Sequence, residues 1–401
     1  MGLKSGYSYP DGYKQTEVGV VPKDWDAVSL DNVCSMKSGE GITSARIDDF
    51  SPYPCYGGNG LRGFTTSYTH DGNFALIGRQ GALCGNVAAA TGKFFASEHA
   101  VVVTARHGVD IRWLTYILGR MNLNRYSESS AQPGLSVSKI LKLPIPFPST
   151  EAEQRAIATA LRDVDVLITS LDRLIAKKRN LKQAAMQQLL TGQTRLPGFS
   201  GEWKLINMTE KSVLKARIGW QGLTTEEYRR TGDYLLVTGT DFSNGGVDWS
   251  KCWYVDRLRY VQDRNIQLTV GDILLTKDGS IGKVGFVDSL PCPATLNSGV
   301  FVIRPKKHAY VPQFLYFILA SHIFEEFLTK LQAGSTISHL YQKDFTNFTF
   351  KAPEAVEQTA IVEVLSDMDA DIAALEARRD KTRALKQGMM QELLTGRIRM
   401  I

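Results

Sequence analysis

Apolar residues recur in an alternating four-three step over two long stretches of the chain. In the first, Ile157, Leu161, Val164, Ile168, Leu171 and Ile175 keep the step; in the second, Ile361, Leu365, Met368, Ile372 and Leu375 do. That spacing gathers the apolar side chains on one seam of a helix and predicts a coiled-coil pairing. Thr150-Glu-Ala-Glu153 reads as a capping box opening the first helix. Pro353 suits the first turn of the second, and Gly192 and Gly396 suit helix ends. Each helix would run about 40 residues, or roughly 60 Å. The stretches are copies: Glu153–Leu196 and Glu357–Met400 align without a gap at an offset of 204, with 21 of 44 positions identical.

Both seams change character at the same place. The next positions, Ile175/Arg379, Lys178/Thr382 and Lys182/Lys386, are mostly polar, and apolar residues return at Leu181/Leu385, Ala185/Met389 and Leu189/Leu393. Either these six residues present an apolar face to a partner, or the change is a stutter within one helix pair. The repeat also reaches past the helices. At an offset of 178, Gln15-Thr16 matches Gln193-Thr194 and Trp25 matches Trp203. The N-terminus therefore reads as the continuation of the second helix. The chain is organised as if circular, and two antiparallel helices with neighbouring termini close it most simply.

Between the helices lie two stretches rich in glycine, threonine, aromatic and β-branched residues, with short apolar runs bounded by turns. They predict strands at Phe74–Ile77, His99–Val103, Tyr234–Val237, Asp272–Leu275 and Gly299–Ile303, and one helix each at Ile111–Met121 and Val311–Leu331. Faint matches link them: Gly81–Val87 with Gly279–Val284, Tyr116 with Tyr316, and Gly134–Ser138 with Gly334–Ser338. The expected class is α+β: two β-rich domains at 1–148 and 196–352, each followed by a spacer helix, at 149–195 and 353–401.

Composition narrows the function. With 401 residues, 43% hydrophobic and 22% charged, the chain has the make-up of a multidomain globular protein. No apolar run reaches the roughly 18 residues that span a membrane, and the first residues lack a signal-peptide core, so the expected compartment is the cytoplasm. The five cysteines are scattered, never in Cys-x-x-Cys spacing, which speaks against a zinc site or disulfide scaffold. A net charge of +6 is compatible with nucleic acid but says little alone. Gly279–Val284 fails the phosphate-loop pattern, and Gly58–Gly63 matches the dinucleotide fingerprint only by letter. The methyltransferase motif Asn/Asp-Pro-Pro-aromatic is absent, as are His-Glu-x-x-His and Gly-x-Ser-x-Gly. Asp163/Asp165 and Asp367/Asp369 recur in both copies and read as solvated charge or salt-bridge partners. No metal site and no catalytic residue are expected; the chain reads as a binder.

The combination resembles the specificity subunit of type I restriction-modification systems. The matching features are two variable domains, a duplicated helix opening with Glu-Gln (Glu153-Gln154; Glu357-Gln358) and closing with Leu-Leu-Thr-Gly, and Trp25 and Trp203 ahead of the domains. The Gly81–Gly85 and Gly279–Gly282 turns fit as well. The resemblance implies two target-recognition domains, each reading half of a bipartite double-stranded DNA sequence, on a helical ruler in which one turn is worth about 5.4 Å. It implies two methylation subunits on the helices, with restriction subunits in the full complex. S-adenosylmethionine, ATP and magnesium would belong to those partners and none to this chain. The alternative is a coiled-coil protein-interaction scaffold without DNA.

Under that resemblance, polar and basic residues on turns beside strands are candidate DNA contacts. They are Lys37, Ser38, Asn59, Arg62, Arg79, Gln80, Ser129 and Gln132 in the first domain. In the second they are Gln221, Thr238, Asp241, Lys277, Asp278, Ser280 and Ser335. Arginine suits guanine and glutamine suits adenine in the major groove, and Asp278 suits cytosine or simply holds Lys277. The basic clusters Arg173–Lys182 and Arg378–Lys386 would meet DNA phosphates, partner acids or solvent.

Overall fold

The computed structural model describes residues 11–81, 83–128, 133–332 and 339–400. The chain divides into two compact units, Met1–Asp172 with Ala377–Ile401, and Arg173–Glu376. These units cut across the four-part division expected from sequence, because each takes one half of each long helix.

The first unit opens with the hairpin β1 (Tyr13–Thr16) and β2 (Gly19–Pro22), followed by β3 (Asp26–Ser29). Its main sheet uses β4 (Cys34–Ser38), β5 (Tyr53–Gly57), β6 (Gly60–Thr65), β7 (His70–Gly78), β8 (Val87–Ala96) and β9 (Ala100–Ala105), ordered β4-β9-β7-β8-β5-β6. Only β5 and β8 run parallel among its pairs. β10 (Pro144–Phe147) pairs with β3. Alternation along β9 explains the layering. Val101 and Val103 face a core with Trp113, Leu114, Ile117 and Leu118 of helix α1 (Ile111–Arg120), while Val102 faces Leu76, Ala90 and Phe94 on the other side. Asp110 caps α1, accepting from the backbone N–H of Arg112 and Trp113.

The second unit repeats the plan with different strands. They are β11 (Lys204–Asn207), β12 (Ser212–Lys215), β13 (Tyr234–Val237), β14 (Phe242–Ser243), β15 (Gly246–Val247), β16 (Trp253–Val255), β17 (Ile273–Thr276), β18 (Val284–Phe286), β19 (Ala294–Leu296), β20 (Val300–Pro305) and β21 (Thr349–Ala352). They form a four-stranded sheet β12-β20-β17-β18, a three-stranded sheet β16-β13-β19 and two-stranded pairs β11–β21 and β14–β15. Ile273 and Leu275 face a helical core with Phe314, Leu315 and Ile318, whereas Leu274 faces Leu235, Val237 and Leu296. The single helix expected over Val311–Leu331 is two. The long first helix of the repeat is α2 (Glu151–Leu189), so the two pieces here are α3 (Pro312–Leu319) and α4 (His322–Gln332). Ser321 separates them: its hydroxyl donates to the Ile318 carbonyl and accepts from the Ile323 N–H, replacing helix bonds at the break.

The second long helix is α5 (Ala355–Leu393). In the first unit the start of α2 runs antiparallel to the end of α5; in the second unit the end of α2 runs antiparallel to the start of α5. Sequence led us to expect the four-three seam to break after Leu171 and Leu375, and it does not. It continues through polar residues. Lys178 pairs with Asp371, Lys182 with Asp369 and Arg179 with Glu376 in the second unit. In the first, Lys386 pairs with Asp165, and Arg379 and Arg383 pair with Asp172. Four of these pairs form two sets of copies at the offset of 204: Lys182–Asp369 with Lys386–Asp165, and Arg179–Glu376 with Arg383–Asp172. Lys182 and Lys386 also lie 5.5 Å from the rings of Phe317 and Tyr116. The basic clusters are thus largely spent on the opposite helix.

The repeated Glu-Gln pair is a joint. Glu357, 3% exposed, accepts both Nε–H and Nη2–H of Arg195, which lies beyond the end of α2. Glu153 accepts likewise from Arg399, beyond the end of α5, and from Trp25 Nε1–H at 3.0 Å. Next to them, Gln154 Oε1 accepts from the Asp110 N–H and Gln358 Oε1 from the Val311 N–H, at the starts of α1 and α3. Gly396 and Gly192, both at positive φ, leave room for Trp25 and Trp203; a Cβ on Gly396 would stand 2.5 Å from Pro22 Cδ. Tyr13 Oη donates to the Gly396 and Arg397 carbonyls, so the N-terminal hairpin continues from the end of α5.

Removing an arginine from a joint strands a buried carboxylate, which costs about 3 kcal/mol or more. Arg195→Ala is therefore expected to lower the urea midpoint of the full chain more than Arg399→Ala, since Glu153 keeps its tryptophan donor. Equal or reversed shifts would contradict this. The Arg399 guanidinium also holds Asp24 below its ordinary value of 3.8. Its stabilisation is complete above that value and lost as the pH falls beneath it. Asp24→Asn should therefore lower the unfolding midpoint at neutral pH, with the gap to wild type narrowing as the pH falls below 3.8.

Candidate nucleic-acid interface

The two β-rich units share one backbone device at the end of a central strand. In the first, β7 ends at Gly78 and is followed by Arg79-Gln80. Arg79 N–H donates to the His99 carbonyl, its carbonyl accepts from Leu135 N–H, and Gln80 bridges Gly134. Gly78 is required there, because a Cβ would lie 1.9 Å from the Gly58 carbonyl oxygen. The turn that follows carries Gly81 and Gly85 at φ of +91° and +88°. In the second, β17 ends at Thr276 and is followed by Lys277-Asp278. Lys277 N–H donates to the Gly299 carbonyl, its carbonyl accepts from Leu340 N–H, and Asp278 bridges His339. Gly279 and Gly282 supply the positive φ. Each domain thus holds a two-residue ledge in the same hydrogen-bond frame with different side chains.

In the first unit Ser38, Arg79 and Gln80 come together with Glu128 and Gly134–Ser138 around a cleft of about 490 Å³. Arg79 is exposed and its Nη1 donates to Ser38 Oγ at 3.2 Å. Asn59, exposed in the β5–β6 turn, accepts from Asn86 Nδ2, and the adjoining Gly58 abuts Gln80, so Asn59 belongs to the same surface. Lys37 is exposed on edge strand β4 beside Ser38, whereas Arg62 is exposed on the opposite edge strand, β6. Ser129 and Gln132 lie outside the described residues.

The second unit rearranges the expectation more. The Lys277 side chain is only 13% exposed; its Nζ lies 3.0 Å from His339 Nε2 and 3.5 Å from Asp278 Oδ2. Asp278 and Ser280 remain accessible. Asp241 is 3% exposed because its carboxylate closes a turn, accepting the Thr238 N–H at 2.7 Å and the Thr238 hydroxyl at 3.0 Å. Gln221 is 7% exposed. Burial withdraws Asp241 and Gln221 from any readout surface, and Thr238 is tied to Asp241. Ser335 lies outside the described residues. Sequence reasoning missed His339, Tyr341 and Lys343. Tyr341 is 53% exposed, with its ring 4.6 Å from that of His339 and Lys343 Nζ 5.4 Å above it. The alternation of polar and aromatic residues just past Gly334–Ser338 was the available signal.

Of the six residues expected to face a partner, Leu181 and Leu385 do point outward, 50% and 58% exposed. Leu189 and Leu393 are buried, and Ala185 and Met389 pack against the same cores. They lie on the continued seam, which is why they turn inward rather than outward. Burial also pushes the thiols of Cys34 and Cys252 up to about 12, so both stay protonated at neutral pH. Among the described residues no cluster of His, Cys, Asp or Glu could hold a metal ion, and no helix is long and apolar enough to cross a membrane.

The family model described as the type I restriction modification DNA specificity domain matches twice, over residues 22–179 and 211–382. The EcoprrI specificity subunit of Escherichia coli is 45% identical over 147 residues, which is 36% of this chain and 36% of that protein. The MjaVIII specificity subunit of Methanocaldococcus jannaschii is 22% identical over 97% of this chain and 96% of its own length. The fold is shared with a type I system S subunit from M. genitalium, at a TM-score of 0.67 and 17% identity, covering 92% of this chain and 96% of that one. Two matched domains, each a ledge-bearing β unit running into a long helix whose Glu-Gln start is built into the joint, place this chain in the family of type I restriction-modification specificity subunits.

Proposed function

We propose that the chain selects a bipartite, gapped sequence on double-stranded DNA. The Arg79-Gln80 surface reads one half and the Lys277-Asp278 surface the other. The observation that carries this is the same backbone ledge built twice with different side chains, beside joints that are nearly identical. A frame kept alike and two tips that differ suit one duplex and two words. Base edges in the major groove are told apart by donors and acceptors, and Arg79, Gln80 and Asp278 offer different sets of these. The outward flank of the long helices, including Leu181 and Leu385, docks two methylation subunits, and restriction subunits complete the complex. S-adenosylmethionine, ATP and magnesium act in those partners, in the cytoplasm, and the chain itself is non-catalytic.

Arg79→Ala, in the complex with its methylation partner, is expected to relax one half-word by about 1–3 kcal/mol at a single base pair and leave the other half-word intact. Base preferences at every position, measured by methylation of a randomised DNA library, check this; loss spread evenly over both words contradicts it. Binding should also fall steeply with salt, since phosphate contacts release counterions. Salt-insensitive association with other proteins and none with DNA would favour the scaffold reading instead. One heptad inserted into both helices, after Ile175 and after Arg379, keeps the four-three seam. It adds about 10.5 Å of helix. The same library should then report a longer gap with both half-words unchanged; altered half-words would contradict a helical ruler.

A further inference from the structure

We infer that His339 is a positioning residue that fixes Asp278 as an acceptor for the exocyclic amino group of a base in the second half-word. This rests on the reading of the Lys277-Asp278 ledge as a DNA surface.

The two ring nitrogens of His339 meet different partners. Nε2 lies 3.0 Å from Lys277 Nζ, and a lysine ammonium only donates, so Nε2 accepts and the ring proton sits on Nδ1. Nδ1 abuts Asp278 Oδ1, a buried oxygen with no hydrogen-bond partner of its own among the described residues, so the Nδ1 proton is the donor placed to serve it. The chain from lysine through histidine to aspartate therefore fixes both the tautomer and the carboxylate. Lys277 Nζ is 3.5 Å from Asp278 Oδ2, too long for a good hydrogen bond, so that oxygen keeps its lone pairs. The Asp278 side chain is 35% exposed, whereas Lys277 is nearly covered. What the ledge offers outward is an acceptor held in place. In the major groove cytosine presents its N4 amino group and adenine its N6 amino group, while guanine and thymine turn acceptors toward a carboxylate. Among the described residues the first unit has no such device, because Gly134 stands where His339 bridges the second ledge. Gln80 there carries an amide that both donates and accepts, so the two ledges differ in the bases they admit.

The test uses the assembled methyltransferase complex and DNA randomised across the second half-word, with base preference read at each position. The wild-type complex is expected to favour cytosine or adenine over guanine and thymine at one position, and which of the two is favoured identifies the amine. Asp278→Ala and His339→Ala should each cut that preference about tenfold or more at that position alone, with the first half-word unchanged. His339→Gln should retain most of it, because its amide can accept from Lys277 and donate to Asp278. If His339→Ala fails to fold, Lys277→Met, which frees Nε2 and unlocks the tautomer, must give the same change at the same position. Should Asp278→Ala alter no position, the ledge does not read DNA. Should Asp278→Ala act while His339→Ala and Lys277→Met do not, the ledge stands and the positioning role is overturned. A preference for guanine or thymine would overturn the acceptor itself.

Discussion

A buried carboxylate at the start of each long helix constrains the rest of this molecule. Glu153 and Glu357 are almost withdrawn from water, and each is neutralised by an arginine that lies beyond the end of the other helix. An unpaired charge there would cost several kcal/mol, so the start of one helix and the end of the other must meet. That requirement dictates antiparallel pairing. The neighbouring glutamines then tie the helix starts to Asp110 and Val311, at the first turn of a recognition-domain helix. Helix pair and β-rich domain are thereby built from one joint, and the joint occurs twice.

The polar seam adds register to direction. Lys182 and Lys386 each meet an aspartate of the opposite helix and an aromatic ring of the adjoining domain. An apolar seam tolerates sliding by a heptad, whereas these charges pair in one register only. Stability is given up in exchange for a defined length, which suits a spacer. On the ledges the balance is reversed: backbone bonds and glycines with positive φ fix the main chain, and side chains are left to differ.

Much of the frame was legible in the sequence. The constant offset, the Glu-Gln start and the four-three seam all follow from periodicity and identity, and the matching tryptophans foretold the continuation of the chain from α5 into the N-terminal hairpin. The polar half of the seam was misread because lysine, arginine and threonine look like an interruption until their aspartates are seen across the gap. The same blindness to partners put Asp241 and Gln221 on the surface, since a turn-closing carboxylate and a reading carboxylate have the same letters around them. Ser321 split a helix through two hydrogen bonds that no propensity reveals. His339 escaped notice because its importance lies in what its two nitrogens touch.

The central claim is that this chain sets a two-word DNA target for enzymes that act elsewhere. Mapping methylated bases across the genome of a host with and without the gene tests it most directly. The account predicts a gapped motif with a methylated adenine in each half, present with the gene and lost without it. A methylation map that is unchanged by deletion, or a single ungapped word, would contradict it.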